Sequence, residues 1–236
     1  MNILVLVEGK DDYIVLSYYL RKKYGFKYQT SDFEIYNCED NQTISLYTKN
    51  DLKLYCLSVG GKNNFSNIYN RYIYEKQFND NYFDYIYLFR DKDDDSYEQI
   101  RSTLGDIIQK WDNGRVTMKS YVDCYKRDRT VNICINIIPD ESNGELEDVL
   151  IEAIRMMSDK HDIMVNETTK YAGLLKRNEL FVTKKIQKSI LAICIAVMNP
   201  EKTFTTNDRF LTSVDWENSN IIYELYKPLL VVLENA

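Results

Sequence analysis

NILVLVEGKDD, residues 2–12, opens with six residues that include no charge and closes with four charged ones around Gly9. An unbroken apolar run rich in β-branched residues, rather than an alternating one, predicts a strand covered on both faces, as in a parallel sheet. DDYIVLSYYLRKKYG (11–25) follows, with Ile14, Val15, Tyr18 and Tyr19 apolar and a basic end before Gly25, the pattern of an amphipathic helix and its stop. The same sentence is written again at DYIYLFRDKDDD (84–95): an apolar run, then acids, then a helical pattern in SYEQIRSTLGDIIQKW (96–111). Carboxylates side by side repel, so each cluster costs stability unless a positive charge lies between them.

Working outward, FEIYNCED (33–40), TISLYT (43–48) and KLYCLSV (53–59) read as strands, the first two as a hairpin around Asp40-Asn41. GGKNNFSNIYNRYIYEKQF (60–78) is a glycine turn leading into a helix, and RVTMKSYVDCY (115–125) and TVNICINIIP (130–139) are strands joined by the charged turn KRDR. From about residue 143 the chain turns helical: GELEDVLIEAIRMMSDKH (144–161), TKKIQKSILAICIAVMN (183–199) and SNIIYELYKPLLVVLEN (219–235), with Pro200 as a stop and Pro228 as a kink or restart. The expected organisation is an α/β core over 1–142, a doubly wound and mostly parallel sheet, with a mostly helical extension over 143–236 packed on it. In such sheets, sites form beyond the carboxyl ends of the strands, where both acid clusters fall.

Composition narrows the chemistry. The 236 residues carry one histidine, His161, in the polar stretch SDKHDIM, where it reads as a loop or helix-end residue. That argues against multi-histidine metal centres and HExxH sites. The five cysteines are odd in number and scattered without a CxxC pair, which suits small buried side chains in a reducing compartment. The absence of a long apolar stretch and of a leader pattern points to a cytoplasmic protein with no membrane partner. A net charge of −6 opposes a surface coated for nucleic acid but leaves room for a local basic groove. Chemistry here is expected to run on carboxylates and lysines.

In an extended backbone Asp91 and Asp93, at i and i+2, point to one side, and paired oxygens at a strand end suit a hard cation such as Mg²⁺. Alone, a DxD reads first as a solvated turn, and Asp94 and Asp95 as helix-start residues. Glu8 ends the first strand, Gly9 lets the backbone turn, and Asp11 and Asp12 cap or start the helix. Gly60 and Gly61 make a tight turn, or present backbone N–H groups and Lys62 to a phosphate; the spacing is not that of a P-loop. Ser142 and Glu145 fit a capping box, which leaves Glu147 and Asp148 unexplained.

VLVEGKDD and LFRDKDDD resemble the two signature motifs of the Toprim domain, shared by topoisomerases, bacterial primases, small ribosomal-RNA maturases and OLD-family nucleases. PDESNGELEDVLIEAI (139–154) and the lysine-bearing TKKIQKSILAICIAV are similar to segments of small stand-alone, OLD-like Toprim proteins. The resemblance implies a Toprim-like sheet over roughly residues 1–140, with Glu8 as general acid/base or metal ligand and Asp91 and Asp93 holding Mg²⁺ or Mn²⁺. It also implies Lys184 (with Lys185 as the other alignment) near a phosphate, and Glu147 as a second-site ligand or supporting group. The function that follows is a divalent-metal-dependent nuclease acting on DNA or RNA. The alternative is a non-catalytic Toprim-like module that binds metal or nucleic acid, or regulates a protein partner. The apolar last helix, PLLVVLENA, suits a homo-oligomer interface as readily as the core.

Overall fold

The computed structural model describes residues 1–29, 43–74, 83–104, 107, 113–122, 125–139, 144–180, 186–200 and 214–236. The chain forms two compact units, one of residues 1–143 with 227–236 and one of residues 144–226. The last ten residues thus belong to the sheet-bearing unit rather than to the helical extension expected over 143–236.

The first unit is built on a seven-stranded sheet in the order β2-β3-β4-β1-β5-β7-β6. Its strands are β1 (Asn2–Val7), β2 (Lys27–Gln29), β3 (Thr43–Lys49), β4 (Leu52–Ser58), β5 (Tyr85–Asp91), β6 (Val116–Val122) and β7 (Asp128–Ile138). The central four, β4, β1, β5 and β7, are parallel, and β2, β3 and β6 add antiparallel edges. Ile3 to Val7 are fully buried on both faces, which is why β1 carries no polar alternation.

Alternation along the strands separates two layers. Leu4, Leu6, Leu57, Ile86, Leu88, Ile133 and Ile135 pack with Phe65, Ile68 and Tyr69 of α2 (Phe65–Tyr74) and Ile100 and Leu104 of α3 (Tyr97–Leu104). The opposite face meets α1 (Lys10–Tyr24), whose Tyr13 hydroxyl lies 3.1 Å from that of Tyr47 on β3. On that face, too, Tyr87 donates to the Pro228 carbonyl of α7 (Asn220–Glu234). Helix α1 has the predicted charge order, with Asp11 and Asp12 in its first turn and Arg21, Lys22 and Lys23 in its last. It ends at Gly25, held in the left-handed region at φ 70°.

The second unit packs three helices, α4 (Leu146–Arg155), α5 (Asp159–Arg177) and α6 (Ile186–Met198), around Leu150, Ile154, Val165, Ala172, Ile190 and Cys194.

Several expectations change. A hairpin joins β3 and β4, turning at Asn50 with φ 51°, which the pattern did not mark. FEIYNCED and its hairpin partner turn at Asp40-Asn41 lie outside the described residues, and β2 is a short strand that the pattern did not mark. The helix expected over 144–161 is two: α4 stops at Arg155 and α5 starts after Ser158, whose hydroxyl meets His161 Nδ1 at 2.8 Å. Helix α7 continues through Pro228 without restarting. Among the described residues, no helix is long and apolar enough to cross a membrane.

Candidate functional site

Strand β1 lies between β4 and β5, and the chain passes from β4 to β5 across it through α2. This is the point where the sheet order reverses, and the segments leaving the carboxyl ends of these three strands meet there. They carry Glu8 after β1, Gly60-Gly61-Lys62 after β4, and Arg90 to Asp95 at and beyond the end of β5. Register fixes the neighbours: Val7 stands opposite Ser58 on one side and Phe89 on the other.

Glu8 is the most perturbed acid there. Burial, and after it the charge of Asp93, raises its carboxyl pKa from 4.5 to about 7. Arg90, a hydrogen bond from the Asp91 backbone and Lys62 pull the other way without cancelling the shift. Its Oε2 is buried with no hydrogen-bond partner. A buried acceptor left unpaired is costly and asks for an explanation.

The second acidic segment is better supplied with cations. Lys62 Nζ lies 2.8 Å from Asp95 Oδ2 and 3.2 Å from Asp93 Oδ2. Arg90, with its side chain wholly buried, also pairs with Asp95 Oδ2. Lys62 and Arg90 hold the Asp95 carboxyl below its ordinary range, and Asp95 in turn raises the Lys62 ammonium. Asp95 is therefore an ion-pair hub and not the helix-start residue expected of it. Ser96 and Gln99 start α3 instead: the Ser96 N–H donates to Gln99 Oε1 at 2.7 Å and the Gln99 N–H to Ser96 Oγ at 3.3 Å. Asp94 is exposed.

Asp91 and Asp93 do not share a side through strand geometry. Asp91 is the last residue of β5, in register with Ile138, while Asp93 sits at φ 51° in the left-handed region, beyond the extended backbone. Asp93 acts on Glu8 through its charge and Asp91 through its backbone.

The two glycine expectations also shift. Gly9 is extended at φ −121°, ψ 175°, so its turn does not need glycine. What constrains it is proximity, since a Cβ there would stand 3.0 Å from Asp12 Oδ2, the atom that accepts the Gly9 N–H at 2.8 Å. Gly60 and Gly61 do need glycine, with φ of 78° and 121°. The Gly61 N–H, which one of the two readings aimed at a phosphate, donates to the Glu8 carbonyl at 3.0 Å.

In the second unit, Glu145 caps α4 with Asp148, whose Oδ2 accepts the Glu145 N–H at 3.0 Å; Ser142, expected to pair with Glu145, lies outside the described residues. Glu147 is buried and ion-paired with Lys188 at 2.8 Å. Lys184 and Lys185 lie outside the described residues.

The sequence reading missed Arg90 and Asp95. The signal was available: Arg90 interrupts an apolar strand, and a buried arginine demands a carboxylate.

The fold is thus a mixed α/β one, with a parallel-centred sheet that gathers carboxylates and a lysine at its carboxyl edge. The chain belongs to the family described as "Protein of unknown function (DUF3226)", whose model matches residues 2–221. A hypothetical protein of Pyrococcus horikoshii OT3, known from a crystal structure, is similar over 97% of this chain and 100% of its own, with 18% identity and a TM-score of 0.47. No curated protein matches.

Proposed function

We propose that the chain is a divalent-metal-dependent nuclease, a phosphodiester hydrolase of Toprim-like type acting on DNA or RNA. The observation that carries this reading is the buried, unpartnered Glu8 Oε2 beside the charge of Asp93 at the sheet's switch point. An all-oxygen donor set suits Mg²⁺ or Mn²⁺. Among the described residues no three acid, histidine or cysteine side chains are already gathered as a metal shell. Mg²⁺, however, is commonly held by one or two carboxylates and completed by water. Glu8 and Asp93 would hold the ion, with Asp91 beside them. When bound, the ion would polarise a phosphodiester and acidify a water.

The chain's own groups do the rest. Glu8, placed near neutrality, can carry a proton as well as ligate, and both uses need the bare Oε2. Lys62, one-third exposed, could face a phosphate oxygen. Arg90 and Asp95 position Lys62.

The Lys62–Asp93 pair favours a second reading, since a lysine already balances one of the acids. On that reading the domain binds or regulates without turnover.

Incubation of the purified protein with labelled single- and double-stranded DNA and structured RNA, with Mg²⁺ or Mn²⁺, decides between them. Wild type should cleave at least one substrate, with Glu8→Gln and Asp93→Asn reduced at least 100-fold. Cleavage that persists in both variants contradicts the site, and metal binding without cleavage supports the binding module.

A further inference from the structure

Lys62 occupies an unusual position for a residue that should greet a phosphate. Its ammonium is shared between Asp93 and Asp95, at 3.2 and 2.8 Å, while the Arg90 guanidinium lies against the same Asp95 oxygen. Asp95 therefore has two cations and Asp93 borrows one of them. Glu8, the third acid, has none in direct contact with its buried Oε2. A cation arriving between Glu8 and Asp93 would meet the Lys62 ammonium, and two positive charges around one carboxylate repel.

Displacement from Asp93 need not expel Lys62 from the site. The shorter contact, to Asp95, survives it, and Arg90 fixes Asp95 from the buried side. The lysine side chain is one-third exposed, and beyond the adjacent residues no atom of the described chain lies within 4 Å of where a Gly61 Cβ would stand, so the space beside the turn is open. The Gly60-Gly61 backbone is anchored from beneath, with the Gly61 N–H on the Glu8 carbonyl and Asn64 Nδ2 on the Val59 and Gly60 carbonyls. A side chain that can move on a backbone that is tied is the arrangement of a switchable contact.

We infer that Lys62 is an internal counter-cation that a divalent metal displaces from Asp93, and that this release makes its ammonium available to a phosphodiester. The inference rests on the metal reading above and adds an order to it: metal first, phosphate second. Linkage then requires each ligand to favour the other by the same factor.

Two measurements on the full chain test it, using wild type, Lys62→Met and Lys62→Gln. Calorimetric titration with Mn²⁺ should give a Kd lower by about fivefold in either variant, the scale of losing a partly exposed ion pair. Fluorescence anisotropy with a labelled phosphorothioate oligothymidylate should show the variants matching wild type without Mn²⁺. With saturating Mn²⁺ they should bind about fivefold more weakly than wild type. Equal weakening with and without Mn²⁺ would mean that Lys62 contacts phosphate regardless of metal, and overturns the inference while leaving the metal reading intact. An unchanged or raised Mn²⁺ Kd in the variants overturns it as well. No Mn²⁺ binding by wild type removes the metal reading itself, and the inference with it.

Discussion

Residues 8–12 and 90–96 look alike in sequence, each an apolar strand running into a row of acids, yet the fold treats them in opposite ways. In the first segment Asp12 closes the start of α1 on the Gly9 N–H, and half-buried Glu8 is left with one buried, unpaired oxygen. In the second, the acid nearest the helix, Asp95, is taken by Arg90 and Lys62, and α3 is started by the uncharged pair Ser96 and Gln99. The difference lies in where the cations are. Arg90 comes out of the buried interior of β5, and Lys62 reaches the same segment from the β4 turn. The fold thus gives Asp93 and Asp95 direct ion pairs and leaves Glu8 Oε2 without a hydrogen-bond partner.

The largest expected effect comes from breaking the supplied side of this comparison. Arg90→Ala strips the wholly buried cation from Asp95 and should lower stability by about 3–5 kcal/mol. Lys62→Met removes the partly exposed partner of the same carboxylate and should cost under about 1 kcal/mol. Urea midpoints at pH 7 measure both. Equal effects would contradict the division into a buried and a surface partner. On the other segment, Asp12→Ala opens the start of α1 and should cost about 1 kcal/mol. A midpoint unchanged by Asp12→Ala would mean that the Gly9 hydrogen bond contributes nothing net.

Much of the sheet was legible because burial on both faces leaves a plain trace: Ile3 to Val7 and Ile86 to Phe89 have no polar alternation, and parallel strands follow. The β3–β4 hairpin was missed because its turn at Asn50 carries no glycine, and the Asp40-Asn41 pair competed with it. Helix α5 was missed because the break before it, over Met156 to Ser158, carries no glycine or proline. In the site, Glu8 and Asp93 were readable from position. The ion pairs of Asp95 were not, because Lys62 lies about thirty residues away in sequence and only the strand order brings it near. The premise that Asp91 and Asp93 share one extended stretch failed at one backbone angle, the left-handed φ of Asp93, which residue spacing does not encode.

The unsupplied acid gives the sharpest test. In the metal-free protein the folded-state pKa of Glu8, about 7, lies above its ordinary 4.5. The folded chain therefore holds a proton that the unfolded chain has already released between those values. Glu8 thus leaves stability untouched below about pH 4.5 and subtracts from it as pH rises to 7, by up to about 3 kcal/mol. Carboxyl-carbon NMR of Glu8, with chelator and then with excess Mg²⁺, reads the cause directly. The account predicts a midpoint close to 7 in chelator that falls when Mg²⁺ is added. A midpoint near 4.5, or one that Mg²⁺ does not move, would contradict the claim that Glu8, through its buried Oε2, is the seat of a divalent cation.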